Sequence, residues 1–453
     1  MSEPQLLAAM KSLVDPDLGV IRWIVEARMQ PDEPPLHIGM CEFTNPMKLK
    51  PARIADDQWQ RAAVEEARQR SDVRAQALNP VGRKHATGAG GDRVSALWAT
   101  VGEACERYAM QLDAGRGALS ALEAELEGEI VSPSRFILFS DEQYRDPTFP
   151  FVRYNAAKSL QWRQALNLAK DQWAWVPAQF ISGPLERPEF QILDTMYSTG
   201  CAAGSSPAHA VNTGLREVIE RDAFMCHWLM RRTPRRIPTE YALQHSPEWL
   251  RTLLTWSGVE VELLWLDTDH GVPVVLSLVL PKRKPGVAIG ASCHADWRVA
   301  LEKAVVEAFH TMNWIIDMSR WGQQPPARAE VMDFSDHVAF YLDPSRHGDV
   351  GFLRGGTLHE PPVVETPDAF GTQTAWMVER LTRVGLNAYA VPLTPPDLEA
   401  VGIHAARVIV PEAHPLHCGV DREHLDPRRL ESVAAALGEK VPSRLNHDLH
   451  PFP

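Results

Sequence analysis

Three distant stretches of the chain carry the same arrangement of acidic residues, and this repetition limits the possible folds more than any other property. The clearest copy, residues 198–228, reads STGCAAGSSPAHAVNTGLREVIERDAFMCHW, a short Gly-rich turn that runs into a helix. On that helix Glu217, Glu220 and Arg221 recur three and four residues apart, which places two carboxylates and a guanidinium on one face. By itself, such a pattern is typical of a solvated face with an internal ion pair.

A second copy lies about a hundred residues earlier, which changes that interpretation. Residues 95–110 read SALWATVGEACERYAM, and their Glu103, Glu106 and Arg107 superpose on the three charged residues of the later helix. A glycine in the lead-in and an alanine seven residues before the first Glu also recur. The repetition therefore extends beyond the charged residues.

A third, weaker copy reads ALEKAVVEAFHT and starts at Ala300. Its Glu307 aligns with the first Glu of the other copies, but His310 and Thr311 replace the second Glu and the Arg. The units are too long and too unevenly spaced for a solenoid. We therefore expect three helices that present acids to one common site.

Acids that converge inside a protein need a counter-charge, because burial of unpaired charge is costly. The neighbouring arginines are one candidate and a metal ion is another. Mg²⁺ takes hard oxygen ligands and is commonly shared with substrate phosphates, which arginines also bind well. The chain contains neither a P-loop lysine motif nor a Rossmann unit. The pattern therefore suggests a nucleoside triphosphate held through metal bridges at a site of another kind.

These motifs resemble those of the YcaO superfamily, ATP-dependent enzymes that activate peptide backbone amides. The resemblance rests on TGAGGDRVSALWATVGEACERY (87–108), on residues 198–224, on the third helix, on LVDPDLGVIRWIVE (13–26) and on the C-terminal RLNHDLHPFP. Within the superfamily the chain is similar to the SagD-like cyclodehydratase D-proteins of thiazole/oxazole-modified peptide pathways. The resemblance covers nearly the whole chain.

The resemblance implies an α+β (mixed) fold, the YcaO-type ATP-binding fold, with mainly antiparallel sheets flanked by helices. Closely linked strand-like segments independently favour antiparallel pairing at residues 259–267, 272–280 and 286–291. We expect residues 1–60 to form the N-terminal segment of this fold. We expect residues 61–453 to form the catalytic domain, with a Pro-containing tail at 446–453.

The remaining periodicity predicts further elements along the chain. Helices are expected at residues 5–13, 57–80, 374–384 and 395–403. Strands are expected at residues 19–28, 37–43, 136–140, 173–181, 387–393 and 406–412.

The resemblance also implies the site residues. Five glutamates would hold Mg²⁺ ions around ATP: Glu103, Glu106, Glu217, Glu220 and Glu307. The nucleotide would be bound by Ser198, Gly200, Ser205, Arg107, Arg221 and His310. As the general base of catalysis we name the C-terminal carboxylate of Pro453 and the imidazole of His450.

Several positions depart from the pattern of the superfamily. The first Gly-rich turn reads Gly88-Ala89-Gly90 where Gly-Lys-Gly is frequent, so Lys84 or Arg93 would have to supply the phosphate-side cation. Other departures are Ser205 for Asn, His209 for Glu, His310 for Gln and Leu449 for the first proline of the terminal PxPxP. These departures keep a non-catalytic ATP-binding scaffold subunit of a peptide-modifying complex open as an alternative.

By resemblance, the chain is an azoline-forming, ATP-dependent peptide cyclodehydratase. It would phosphorylate the backbone amide of a ribosomal precursor peptide and convert Cys, Ser or Thr to thiazoline or oxazoline rings. Formation of a thioamide or an amidine at the same ATP site is an alternative. The expected partners are the precursor peptide, a separate leader-binding E1-like/ThiF-like protein and a flavin dehydrogenase of the same pathway. A homo-oligomer or a hetero-complex is expected.

Composition excludes several other classes of protein. A net charge of −12 argues against a nucleic-acid surface, which needs a basic footprint. The six cysteines show no CxxC spacing, so neither a zinc site nor a disulfide framework is indicated. The start of the sequence lacks a secretory signal, and the longest apolar stretch, 272–280, is too short to span a bilayer. We expect a cytoplasmic protein that does not bind membranes.

Overall fold

The computed structural model describes residues 3–44, 85–113, 116–182, 191–194, 198–363 and 365–453. The helix expected at residues 57–80 and the candidate cation Lys84 lie outside the described residues. The α-helices are α1 Glu3–Leu13, α2 Arg93–Asp113, α3 Gln179–Ser182, α4 Pro207–Met230, α5 Thr239–Gln244, α6 Glu248–Leu254, α7 Trp297–Arg320, α8 Phe334–Phe340, α9 Phe370–Arg383, α10 Pro396–Glu399 and α11 Arg428–Ala436. Among the described residues, no helix combines the length and the apolar character that a bilayer span needs.

The strands form three sheets. They are β1 Ile21–Glu26, β2 His37–Phe43, β3 His85–Gly90, β4 Leu119–Ala121, β5 Glu129–Ile130, β6 Leu160–Asn167, β7 Gln172–Pro177, β8 Cys201–Gly204, β9 Arg235–Arg236, β10 Val259–Trp265, β11 Val274–Pro281, β12 Ala288–Cys293, β13 Tyr389–Pro392 and β14 His404–Ile409. The sheet orders are β1-β2-β3, β12-β11-β10-β9 and β5-β7-β6-β13-β14-β8, with β4 paired to β6. All pairs of these strands are antiparallel except β5 with β7, which confirms the expected mixed fold with mainly antiparallel sheets.

Each of the three acidic motifs is a strand followed by a long helix. The units are β3–α2, β8–α4 and β12–α7, and we call α2, α4 and α7 the motif helices. Helix α2 packs on β3 and β2, α4 on β14 and β8, and α7 on β12 and β11. The Gly-rich lead-ins expected to be turns are therefore partly strands, which corrects the interpretation of Gly88-Ala89-Gly90 as a turn.

Glycine explains why these lead-ins can be strands. A Cβ atom added at Gly88 would lie 2.3 Å from the backbone nitrogen of Thr100 on α2. A Cβ atom at Gly290 of β12 would lie 2.3 Å from the backbone nitrogen of Ala308 on α7. The missing side chain lets strand and helix backbones approach more closely than other residues permit.

Two of the expected strands differ in the structure. Residues 136–140 form a buried loop, in which Phe136 stacks on Phe180 with ring centroids 3.8 Å apart. Its apolar run reflects burial and not strand pairing, which a short apolar run cannot distinguish. The segment 173–181 divides into β7 and the short helix α3.

The other expected elements are present with shifted ends. The N-terminal helix and the strands expected at residues 19–28 and 37–43 correspond to α1, β1 and β2. The C-terminal helices and strands correspond to α9, β13, α10 and β14, and β13 pairs with β14 in antiparallel orientation.

Helix α4 has clear end signals in its sequence. The Ser206 hydroxyl accepts a hydrogen bond from His209 N at its start, and Pro207 occupies the first turn. The helix ends at Arg231, which has φ 48° in the left-handed region. Its buried face carries Phe224 and Trp228 into the main core cluster.

Candidate active site

Each strand–helix unit fixes its first glutamate in the same way. A backbone N–H from the strand, or from the turn just before it, donates to the carboxylate of the helix that follows. The donor–acceptor pairs are Thr87–Glu103 at 2.8 Å, Gly200–Glu217 at 3.2 Å, and Ala291–Glu307. The repetition in the sequence thus corresponds to a repeated local geometry.

The arginines of the first two units are engaged differently. Arg107 Nε donates to Glu103 Oε1 at 2.9 Å, and its Nη2 bonds the same oxygen. Arg221 lies 3.6 Å from Glu217 and 3.4 Å from Glu220, with Nε and Nη1 buried and without hydrogen bonds among the described residues. Arg107 therefore forms hydrogen bonds with Glu103 of its own helix, whereas Arg221 has N–H groups that can donate to another acceptor.

The acids of the three motif helices lie close enough to influence one another. Burial raises the pKa of Glu106 well above its usual range, and the charge of Glu217 on α4 raises it further. Burial likewise raises the pKa of Glu220. The charge of Arg221 acts against this shift, whereas the charge of Glu307 on α7 raises the pKa further. The pKa of Glu217 is also raised by burial. Acids of neighbouring motif helices therefore interact electrostatically, Glu106 with Glu217 and Glu220 with Glu307.

A metal would have to be held jointly with a ligand. Among the described residues, no three His, Cys, Asp or Glu side chains converge closely enough to bind a metal ion alone. Glu220 Oε1 is nevertheless buried without a hydrogen-bond partner among those residues. Mg²⁺ is usually bound by one or two carboxylates together with phosphates and waters. The chain's carboxylate oxygens therefore fit Mg²⁺ ions whose coordination a nucleotide completes.

Two further cations lie beside the acids, and the analysis of the sequence missed both. Burial, followed by the charge of Arg216, lowers the pKa of Lys303 to about 8, and Lys303 interacts with Glu307 and Glu220. Burial also lowers the pKa of Arg216, whose Nε has no hydrogen-bond partner among the described residues. Lys303 and Glu307 are exposed to solvent although much protein surrounds them. The position of Lys303 four residues before Glu307 on one helix face was the available signal.

Arg407 is a third cation, which comes from β14. It is 7% exposed and its Nη1 donates to Cys201 Sγ at 3.1 Å. Its charge opposes the raised pKa of both Glu106 and Glu217. No motif surrounds Arg407, so only the pairing of β14 with β8 brings it to the acids.

Of the predicted nucleotide residues, Ser198, Gly200 and Ser205 flank β8, whereas His310 lies within α7. The Ser198 carbonyl accepts a hydrogen bond from Cys201 N at 2.7 Å, in the turn that contains Gly200. Ser205 N–H donates to His209 Nδ1 at 3.2 Å, so two of the departures from the superfamily pattern bond to each other. Burial lowers the pKa of His310, and the charge of Glu103 acts against this shift, which links the third motif helix to the first.

Arg93 forms an ion pair with a residue outside the acidic motifs. Its Nε lies 3.0 Å from Glu26 on β1. The interpretation that Arg93 replaces the lysine of the Gly-Lys-Gly turn receives no support from this contact.

The two predicted bases belong to a buried C-terminal tail. His450 is fully buried, with Nε2 bonded to the His417 carbonyl at 2.8 Å and Nδ1 accepting from Phe452 N at 3.2 Å. Because both ring nitrogens are bonded, the geometry favours a role for His450 in holding the tail. The Phe452 ring lies 3.9 Å from the guanidinium carbon of Arg221, which brings Pro453 beside α4.

Comparisons with known proteins agree with this architecture. The family model described as a YcaO cyclodehydratase that binds ATP and Mg²⁺ matches residues 87–414. An uncharacterized protein of Methanothermobacter thermautotrophicus is 26% identical over 348 residues, which are 76% of this chain and 83% of that protein.

Solved structures of the same fold cover nearly all of the chain. A heterocyclase in complex with substrate and cofactor aligns with a TM-score of 0.73 at 19% identity, over 99% of this chain and 57% of its own. YcaO from Methanopyrus kandleri, bound with AMPPCP and Mg²⁺, aligns with a TM-score of 0.58 at 18% identity, over 90% of this chain and 88% of its own. The E. coli microcin synthetase McbBCD complex with pro-MccB17 bound aligns with a TM-score of 0.58 at 13% identity, over 95% of this chain and 98% of that chain.

This chain spans little more than half the length of the first heterocyclase, and at these identities the likeness to solved structures shows the fold. The family model itself covers most of the sequence, including the three motif helices. The chain therefore belongs to the YcaO cyclodehydratase family, whose cofactors are ATP and Mg²⁺.

Proposed function

We propose that this protein is an ATP-dependent cyclodehydratase that forms thiazolines or oxazolines from Cys, Ser or Thr residues of a ribosomally made precursor peptide. The observation that carries the proposal is the meeting of acids from three motif helices beside Arg221, whose buried donors have no hydrogen-bond partner among the described residues. Such a set of groups suits a metal-bound triphosphate.

Within this proposal the acids and the cations have separate roles. The five glutamates Glu103, Glu106, Glu217, Glu220 and Glu307 would hold Mg²⁺ together with the nucleotide. Arg221 would donate to the phosphates, and Lys303 adds a positive charge beside Glu220 and Glu307. Arg107 holds Glu103 in place. Ser198, Gly200, Ser205 and His310 complete the nucleotide side.

The reaction is a cyclisation followed by loss of an activated oxygen. The thiol or hydroxyl of the peptide adds to the carbon of the preceding carbonyl and loses its proton to a base. The carbonyl oxygen accepts the terminal phosphoryl group of ATP, phosphate then leaves, and the amide nitrogen loses its proton as the C=N bond forms. Mg²⁺, when bound by these glutamates, would neutralise charge on the transferred phosphoryl group. The sum is one ring, ADP and phosphate, with the elements of water removed from the peptide.

Of the two predicted bases, the Pro453 carboxylate remains in the proposal. Its neighbour Phe452 contacts Arg221, which supports a position near the nucleotide. The His450 ring is bonded at both nitrogens and is assigned to holding the tail. Deletion of residues 451–453 without loss of cyclisation would overturn the role of the tail.

The proposed partners are the precursor peptide and a separate E1-like/ThiF-like protein that binds its leader, with a flavin dehydrogenase later in the pathway. Structures of the same fold support a hetero-complex that acts on a peptide. One is a heterocyclase with its substrate, and another is a microcin synthetase complex with pro-MccB17 bound.

Intact-mass analysis tests the proposal. The protein is incubated with a candidate precursor, its leader-binding partner, Mg²⁺ and ATP. We expect the peptide to lose one water mass per modified residue, together with consumption of ATP. The double variant Glu217→Ala, Glu220→Ala should abolish both. The matched control Glu379→Gln removes an exposed acid that pairs with Arg383 on α9, and it should behave as the wild type.

Two other outcomes would indicate two of the alternatives. Nucleotide binding without turnover and without a change of mass would indicate the scaffold subunit. A mass shift that corresponds to replacement of oxygen by sulfur would indicate thioamide formation.

A further inference from the structure

We propose that Phe452 is a positioning residue that holds the guanidinium of Arg221 in the orientation needed to bind nucleotide phosphates. The inference rests on the proposed function, because it concerns the same nucleotide site. It gives Phe452, a residue of the C-terminal motif, a role that the sequence analysis did not assign to it.

The environment of Arg221 shows why it needs support. Its contacts with the acids of its own helix are long, since Nη2 lies 3.6 Å from the nearest Glu217 oxygen and Nε lies 3.4 Å from the nearest Glu220 oxygen. Arg107, its counterpart on α2, is fixed by hydrogen bonds of Nε and Nη2 to Glu103. The carboxylates of α4 therefore do not fix the plane of the Arg221 guanidinium in the same way.

The ring of Phe452 provides that support. It lies 3.9 Å from the guanidinium carbon and is 1% exposed. A desolvated aromatic face attracts a guanidinium more strongly than an exposed one. Contact with one face of the guanidinium leaves the N–H groups at its edge directed outwards, and these are the groups that bind phosphate oxygens.

The ring is itself held from several directions. Phe452 N donates to His450 Nδ1 at 3.2 Å, which fixes the backbone before the ring. The His450 carbonyl accepts a hydrogen bond from His337 Nδ1 at 2.7 Å. Phe224, one turn after Arg221 on α4, contacts the Phe452 ring with centroids 4.9 Å apart. The tail thus presents a rigid aromatic face to Arg221.

The test compares two buried phenylalanines from different core clusters. Phe452→Leu keeps an apolar side chain in the tail but removes the aromatic face from Arg221. Phe43→Leu removes a ring of the same size that is also 1% exposed, on β2 and outside the cluster that contains Phe452. The measurements are the affinity for Mg²⁺–AMPPCP by calorimetry, without peptide, and the midpoint of thermal unfolding.

We expect Phe452→Leu to weaken nucleotide affinity roughly threefold to thirtyfold, the range of a cation–π contact. Phe43→Leu should lower the unfolding midpoint at least as much as Phe452→Leu does, while its affinity for Mg²⁺–AMPPCP changes less than about twofold. Phe452→Tyr retains the aromatic face and should retain most of the affinity. Equal losses of affinity in the two leucine variants, or none in Phe452→Leu, would overturn the proposal. If Phe452→Leu does not fold, Phe452→Met serves for the same comparison.

A double-mutant cycle separates positioning from general packing. In an Arg221→Lys background, Phe452→Leu should have little further effect, because the planar guanidinium is already absent. The same fold loss in both backgrounds would show that Phe452 acts independently of Arg221. Because the binding measurement contains no peptide, its result does not depend on whether the protein forms azoline rings. Wild-type protein that binds nucleotide but forms no azoline would contradict the proposed function alone.

Discussion

Glu307 shows how the fold alters a single side chain of the site. Burial raises its pKa to about 7, although Arg221 and Lys303 act in the opposite direction. A carboxyl group whose pKa is higher in the folded state than in the unfolded chain stabilises the fold at low pH. That contribution is lost as the pH rises from about 4.5 through about 7. Near neutral pH, ionisation of Glu307 therefore lowers the free energy of unfolding of the metal-free protein.

This argument predicts how pH affects stability with and without ligand. The contribution of Glu307 to the free energy of unfolding of metal-free protein should fall as the pH rises from about 4.5 to about 7, whereas the buried histidines of the tail act in the opposite direction. Mg²⁺–AMPPCP should restore more stability at pH 8 than at pH 6. In Glu307→Gln this titration is absent, so the unfolding free energy of the variant should change less unfavourably than that of the wild type over the same pH range. Denaturant unfolding at several pH values measures both effects. A slope that is unchanged in Glu307→Gln would contradict the assignment.

The strand–helix units depend on residues too small to separate their backbones. At Gly290 a Cβ atom would lie 2.3 Å from Ala308 N and 2.5 Å from Ala304 O, both on α7. These atoms are backbone, so they can move only if the helix moves. The same contact places Ala291 N–H against Glu307. The close packing of β12 on α7 therefore also positions Glu307.

We therefore expect opposite effects from two Gly→Ala substitutions. Gly290→Ala should destabilise the fold by about 1–3 kcal/mol through overpacking. Gly102→Ala is the control, since Gly102 lies within α2 and an added Cβ would have nothing within 4 Å. It should stabilise the fold by about 0.5–1 kcal/mol, the usual gain of Ala over Gly in a helix. Urea unfolding measures the free energy of unfolding of both variants. An equal change in the two variants would contradict the conclusion that Gly290 is required for the close approach of β12 and α7.

The C-terminal tail connects distant parts of the whole molecule to the site. Trp228 on α4 donates to the Asp448 carbonyl at 3.0 Å, and Tyr341 after α8 donates to the Leu449 carbonyl. His337 on α8 donates to the His450 carbonyl and accepts from Gly419 N at 3.0 Å. The tail is therefore fixed by neutral histidines in a buried environment.

This arrangement predicts release of the tail in acid. Burial lowers the pKa of His337 to about 4, and it lowers the pKa of His450 well below its usual range. Histidines whose pKa is lowered on folding contribute stability that is present above about pH 6.5 and lost as the pH falls towards about 4. Hydrogen exchange of residues 446–453 should accelerate over that range. His337→Asn should weaken the pH dependence, whereas His447→Asn, an exposed position of the same tail, should not. Acceleration that is identical in both variants would refute the role of His337.

The sequence by itself determined the three acidic helices and the matching positions of the acids along them. Glu103, Glu217 and Glu307 could be aligned because the three- and four-residue spacing of a helix is a local property. The antiparallel pairing of β10, β11 and β12 was also predictable, since their short connections permit little else. These features depend only on residues that are neighbours in the chain.

Only the tertiary structure decided which other groups reach the acids. Arg407 meets Glu106 and Glu217 through strand pairing, and Phe452 meets Arg221 across more than two hundred residues. The buried loop at 136–140 looked like a strand because an apolar run indicates burial without indicating a pairing partner. Local periodicity encodes the geometry of one element, whereas contacts between elements depend on how all of them pack together.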